Sequence, residues 1–223
     1  GLNTSVRDNS HVPQGWTVSH PGAGVDYLCF TAEEAGSSVK LSLAGSITAN
    51  IQTSTDGTTW NDYAFDTNIP LAGIGDKVYF RGDYRGTGRE DYATFVMSGK
   101  VSASGNIMTL TNGDDPGASL AGKDYCFFKL FDGCTSLTEA PELPATTLAE
   151  RCYTAMFRTT KLTSAPELPA KILADFCYSD MFSDCRYLTE APALPATTLA
   201  VSCYDFMFQE CTSLTKAPAL PAT

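Results

Sequence analysis

Histidine is nearly missing from this chain. His11 and His20, both near the N-terminus, are the two in 223 residues, and no neighbouring pattern marks partners for a Ser-His-Asp or Cys-His site. There is no Cys-x-x-Cys pair among the eight cysteines, so the spacing that zinc sites use is absent. Basic residues are also short: 15 Lys and Arg against 25 Asp and Glu leave a net charge of -10, about -6 before residue 118 and -4 after it. Neither half has the basic stripe that phosphate contact requires, so nucleic acid is not an expected partner. No apolar run approaches a membrane span, and membrane insertion of this segment is not expected. Gly73-Ile74-Gly75-Asp76-Lys77 and Gly86-Thr87-Gly88-Arg89 lack the spacing of a phosphate loop or a dinucleotide fingerprint. No cofactor is implied, and catalysis is not expected.

What the chain does have is repetition. Cys177 opens CYSDMFSDCRYLTEAPALPATTLA and Cys203 opens CYDFMFQECTSLTKAPALPAT, with further copies from Cys152 and, more diverged, from Cys126. Pro141, Pro166, Pro192 and Pro218 mark a period of 25 to 26 residues, the signature of a stacked-repeat architecture. Within a copy, Leu148, Ala149, Cys152, Tyr153, Met156 and Phe157 fall at i, i+1, i+4, i+5, i+8 and i+9, and the columns return at Leu173, Ala174, Cys177, Tyr178, Met181 and Phe182. That stripe predicts a helix of about three turns. The following Cys-x-x-Leu-Thr-x-Ala-Pro-x-Leu-Pro-Ala permits one short strand, bounded by Pro144, Pro169, Pro195 and Pro221. A strand and a helix per copy predict an α/β leucine-rich-repeat solenoid over 116–223, of about four units and truncated at the C-terminus. The array stops inside Leu-Pro-Ala-Thr without a polar cap, which predicts exposed apolar surface on its last unit. Gly1 reads as the start of a processed or trimmed chain, with any export signal or lipid anchor out of view.

The run Phe131-Asp132-Gly133-Cys134-Thr135-Ser136-Leu137-Thr138 resembles the Ala-Phe-x-Gly-Cys-x-x-Leu-Thr core of the BspA-like leucine-rich repeats, found on surface proteins of gut and oral anaerobic bacteria. The resemblance covers about residues 124 to 223. It departs in unit length, in the Met before Phe157, Phe182 and Phe208, and in Arg158-Thr159-Thr160, which lacks the cysteine. It implies a secreted or cell-surface protein, anchored in the outer membrane at full length, that binds host matrix proteins or other bacteria.

Seven cysteines sit in two columns: Cys126, Cys152, Cys177 and Cys203, then Cys134, Cys185 and Cys211. Recurring columns read as core slots filled by free thiols. Disulfide pairing is the alternative, and within a unit it would strand Cys152, because Thr160 takes the partner position.

Before the repeats the pattern changes. Tyr27–Phe30, Val39–Leu43, Lys77–Phe80 and Ile107–Leu110 are read as short alternating runs separated by Gly and Asp-Gly turns, and they predict an all-β, immunoglobulin-like sandwich of seven or eight strands over 23–115. Residues 1–22 read as a linker, or as an edge strand through Trp16-Thr17-Val18, and Gly113–Gly117 as the join to the repeats.

Three candidate sites follow. In the strand segments Glu139, Ser164, Glu190 and Lys216 precede the conserved-in-repeat Ala, and Glu142 and Glu167 follow the first Pro; positions that vary while the columns stay fixed should face solvent and bind a protein partner, a basic or hydroxyl-rich one given the acidic first half. Arg81-Gly82-Asp83 is the integrin-type tripeptide, although Gly-Asp after a strand is also an ordinary turn. Trp60, Tyr63, Tyr84 and Tyr92 would serve a carbohydrate-binding accessory module if their rings were exposed together. Ser54-Thr55-Asp56-Gly57-Thr58-Thr59-Trp60 approaches an Asp-box and is read as a hairpin device.

Overall fold

The structure, a computed structural model, describes residues 24–221. His11, His20 and the Trp16–Val18 segment lie outside the described residues.

Among the described residues eight strands form two antiparallel sheets. β1 (Leu28–Ala32), β3 (Ile51–Ser54), β4 (Asn61–Tyr63), β6 (Lys77–Gly82) and β8 (Val101–Ser104) make one sheet in the order β4-β3-β6-β1-β8; β2 (Ser37–Ala44), β5 (Ile69–Leu71) and β7 (Tyr92–Ser98) make the other in the order β5-β2-β7. Alternation in β2 puts Ser37, Val39 and Leu41 inside and Ser38 and Lys40 toward the rim, as one buried face requires. The sheets meet through aromatic rings: Phe30 of β1 and Phe80 of β6 lie 4.6 and 5.2 Å from Phe95 of β7. The immunoglobulin-like arrangement expected from the strand spacing gives way here, since the division is five and three with β1 between β6 and β8, instead of the four and three of that fold. Ile107–Leu110 is not a strand either. The Met108 N–H bonds to Asn106 Oδ1 and the chain turns into α1 (Thr109–Asn112); Ile107, Met108, Thr109 and Leu110 are all buried, so the run gave no alternation to separate the two conformations.

The α/β leucine-rich-repeat solenoid does not form. Beyond α1 no helix occurs among the described residues; the helical stripes expected over Leu148–Phe157 and Leu173–Phe182 fall on runs of overlapping turns, 150–159 and 175–184, with equivalent runs at 124–133 and 201–210. Alternate residues split their hydrogen bonds. Cys126, Phe128, Leu130, Asp132 and Cys134 donate back three residues, to Lys123, Tyr125, Phe127, Lys129 and Phe131. Tyr125, Phe127, Lys129, Phe131 and Gly133 donate outward, to the carbonyls of Glu150, Cys152, Thr154, Met156 and Arg158 in the next run. A helix would keep all of these inside the segment, four residues apart. The second run donates in the same way to the third, and the third to the fourth.

Every fourth residue of a run takes positive φ: Tyr125, Lys129 and Gly133, then Arg151, Ala155 and Thr159, then Phe176, Asp180 and Asp184, then Ser202, Phe206 and Glu210. The conformation therefore has a period of four, and residues i, i+4 and i+8 share a face much as they do on a helix. Cys152, Met156 and Thr160 line one inner row and Tyr153 and Phe157 another, all buried. Successive runs stack these rows ring on ring. Phe127, Tyr153, Tyr178 and Tyr204 lie 5.8 to 5.9 Å apart with planes 9 to 14° from parallel, and Phe131, Phe157, Phe182 and Phe208 lie 5.3 to 5.9 Å apart. Burial of each ring contributes roughly 1.5 to 3 kcal/mol, which offsets left-handed backbone costing about 1 to 2 kcal/mol per non-glycine residue.

The sandwich supplies the first layer of this stack. Phe95 of β7 stacks on Phe131 at 5.3 Å, the Phe95 N–H donates to Leu130 O at 2.8 Å and the Gly86 N–H donates to Cys126 O at 3.2 Å. A Cβ at Gly86 would strike the Tyr125 carbonyl, so only glycine permits this approach. Beside it, 136–142 runs along β8, with Val101 N–H to Ser136 O, Thr138 N–H to Val101 O and Glu142 N–H to Gly105 O. One continuous hydrophobic cluster extends from Leu28 to Cys211.

Candidate binding face

After each turn run the chain passes along one side of the stack in an extended, proline-bearing segment. Thr189 pairs with Thr163 through both its N–H and its hydroxyl, and Ser164 bridges to Glu190. Between 136–144 and 161–169, and between 187–195 and 213–221, no main-chain bond is formed among the described residues. Proline has no N–H to donate, and each of these two intervals is a groove. One groove, about 560 Å³, lies between Ala140–Pro144 and the pair Pro166 and Pro169; the other, about 680 Å³, lies between 189–195 and 215–221. Leu143 lines the first groove and Leu194 the second, both buried, while Leu220 of the last unit is exposed.

The variable positions fall on this face. Glu139, Glu142, Ser164, Glu167, Glu190 and Lys216 are all exposed. Glu142 and Glu167 line the first groove, and Glu190 and Lys216 line the second; Glu139 and Ser164 line neither. The first groove thus carries two carboxylates, and the second one group of each sign. The backbone of Glu139 is held by the Ala103 N–H at 3.0 Å and that of Glu142 by Gly105 and Ile107, so both carboxylates project from a fixed main chain. Sequence reasoning had not assigned the prolines to the site. Their recurrence in pairs was the available signal, and its meaning is the groove wall.

The Arg81-Gly82-Asp83 tripeptide is not presented as a loop tip. Arg81 and Gly82 end β6. The Arg81 guanidinium donates to Gln52 Oε1 at 3.0 and 2.9 Å and to Asp114 at 2.7 Å, and lies 4.3 Å over the Trp60 ring. Asp83 accepts from the Asn50 backbone and side chain at 2.6 and 2.8 Å. Both charged ends are engaged within the molecule.

The four sandwich aromatics are scattered as well. Tyr84 is fully buried and its hydroxyl accepts from the Ala93 N–H at 2.9 Å; burial raises its pKa. Tyr63 is buried and its hydroxyl accepts from the Leu41 N–H and donates to Thr67 O. Trp60 is half-buried between Tyr27 and Arg81, and Tyr92 packs against Phe128 and Lys129. No common platform for sugar rings results. The 54–60 segment is a hairpin turn: Asp56 accepts from the Thr59 and Thr58 N–H groups and from the Ser54 and Thr59 hydroxyls, which hold its carboxyl well below the usual range.

All eight cysteines are free and buried. In the second column Cys185 and Cys211 donate to the carbonyls of Phe157 and Phe182 one unit earlier, and Thr160 fills the same slot 3.3 Å from Cys185. Among the described residues no group of three or more His, Cys, Asp or Glu could hold a metal ion, and no helix is long and apolar enough to cross a membrane. No family model matches the chain, and comparison with curated proteins and with solved structures found no match.

Proposed function

We propose that this chain is a non-catalytic cell-surface protein that holds a macromolecular partner, a protein of the host matrix or of another bacterium, along the proline face of its repeats. The observation that carries the reading is the pair of grooves between proline-bearing segments, whose rims are formed by Glu142, Glu167, Glu190 and Lys216, residues at positions that vary between copies. A rigid stacked core with a variable rim separates scaffold from recognition, as other repeat proteins do. The resemblance of the repeats to those of BspA-like surface proteins supports the same class of partner and an exported location. The acidic first groove favours a basic or hydroxyl-rich segment, with contact weakened by salt. Engagement of Arg81, Asp83, Tyr63 and Tyr84 inside the molecule weighs against adhesion through the tripeptide and against glycan stacking on the sandwich.

The test is a panel of host matrix and bacterial surface proteins beside a glycan array. Binding to a protein should weaken as salt is raised, and should fall when Glu139, Glu142, Glu167 and Glu190 are together replaced by Gln, with the melting temperature moved by no more than a few degrees. A partner held equally well by that variant, or recognition of glycans alone, would sink the proposal.

A further inference from the structure

The main-chain hydrogen bonds between turn runs all point the same way. In each of the first three runs five alternate N–H groups donate to carbonyls of the following run, and no main-chain bond runs in reverse; the bonds that do so end on aspartate side chains, from the Glu150 N–H to Asp124, from the Val201 N–H to Asp175 and from the Arg158 guanidinium to Asp132. The fourth run uses its carbonyls at Val201, Cys203, Asp205, Met207 and Gln209 to accept from the third. Its own outward N–H groups belong to Ser202, Tyr204, Phe206, Phe208 and Glu210, and none of them has an acceptor among the described residues. This edge is a row of five donors.

Apolar surface borders the row. Tyr204 and Phe208 end the two ring stacks, each with one face lacking the neighbour that every earlier ring has. Phe206 is 57% exposed and Val201 63%, and Leu199 and Leu220 are exposed as well, so half of the eight large apolar side chains exposed among the described residues lie within 199–220.

We propose that this edge is a docking surface for a further turn-built repeat that presents its carbonyl row, with rings in the Tyr204 and Phe208 columns. Polarity selects the occupant. An extended strand offers N–H and C=O together along one edge, and would leave acceptors unused and donors opposed. A second copy of this chain fits no better: its fourth run would bring donors to donors, and the carbonyls of its first run face β7 and Gly86, which accept no displacement without opening the core. A carbonyl-bearing repeat satisfies all five donors and continues both stacks at the spacing already present.

The experiment appends a second copy of residues 198–223 after Thr223, in phase with the array, and follows amide hydrogen exchange. In the parent chain the amides of Ser202, Tyr204, Phe206, Phe208 and Glu210 should exchange fast at every protein concentration; in the extended chain they should slow by at least about tenfold. An appended copy with its ring and thiol columns changed to Ser should leave them fast. A truncation after Thr197 covers the case of an extension that fails to fold: fast exchange should then move to Phe176, Tyr178, Asp180, Phe182 and Asp184 while the rest of the chain keeps its protection. Unchanged rates in a folded extended chain, slow exchange already present in the parent, protection that grows with parent concentration, or fast exchange elsewhere in the truncated chain would each overturn the proposal.

Discussion

Phe131 and Phe157 stack with ring centroids 5.3 Å apart and planes 8° from parallel, although 26 residues separate them in sequence. Phe157 also stacks on Phe182 at 5.7 Å, so its ring is shared by two interfaces and is fully buried. Phe157→Ala should cost about 3 to 5 kcal/mol and lower the melting temperature by on the order of 10 °C, read by calorimetry. A loss no larger than that of an exposed ring such as Tyr187 would mean that the stack contributes little.

The positive-φ column that contains Gly133 places threonine at position 159, with φ 59°. A β-branched residue is strained there, its side chain is exposed, and its N–H bond to Ser183 O at 2.9 Å belongs to the backbone. Thr159→Gly should therefore raise stability by about 1 kcal/mol, where a mid-helix glycine would lower it by a similar amount. Urea denaturation decides between the two signs.

Tyr153 is buried and its hydroxyl has no hydrogen-bond partner among the described residues, whereas the same column holds Phe127 one unit earlier. Removing an unsatisfied buried hydroxyl recovers about 1 to 3 kcal/mol. Tyr153→Phe should raise the urea midpoint with no change in the slope of the transition.

Burial pushes the Cys126 and Cys211 thiols up to about 11, and those of Cys134 and Cys177 up to about 12, from an ordinary value of 9.0. In the unfolded chain the same thiols lose their protons near the ordinary value, so the unfolded state gains charge first. Their contribution is complete below pH 9 and is lost as pH rises through 11 to 12. Stability should be flat from pH 7 to 8.5 and fall steeply above 9, and iodoacetamide at pH 8 should label all eight cysteines in urea but almost none in the native protein.

The side-chain columns were legible in the sequence, and the backbone that carries them was not. Cys152, Met156 and Thr160 fall four apart on one buried row, and a period of four in side chains is shared by a helix and by a turn run whose φ changes sign every fourth residue. Hydrophobic spacing cannot separate them. The distinguishing signal was weak: the column Gly133, Thr159, Asp184 and Glu210 includes Gly and Asp, residues that tolerate positive φ, but Tyr125, Arg151 and Phe176 occupy an equivalent column with no such preference. Strands were easier, because β2 and β6 alternate across one buried face, while Ile107–Leu110 is buried throughout and lost that signal. On the candidate face, variation between copies pointed to Glu142, Glu167, Glu190 and Lys216, which line the grooves, and equally to Glu139 and Ser164, which line neither; the grooves themselves become visible once neighbouring segments are side by side.

The one-way ladder also fixes how the array responds to pulling. Each interface between runs carries five N–H to carbonyl bonds directed from one unit to the next, so tension applied along the stack loads every interface in series. Bonds within one interface share the load, but interfaces do not help one another. Mechanical strength is then that of the weakest junction, whatever the number of units, and lengthening the array adds extensibility without adding resistance to rupture.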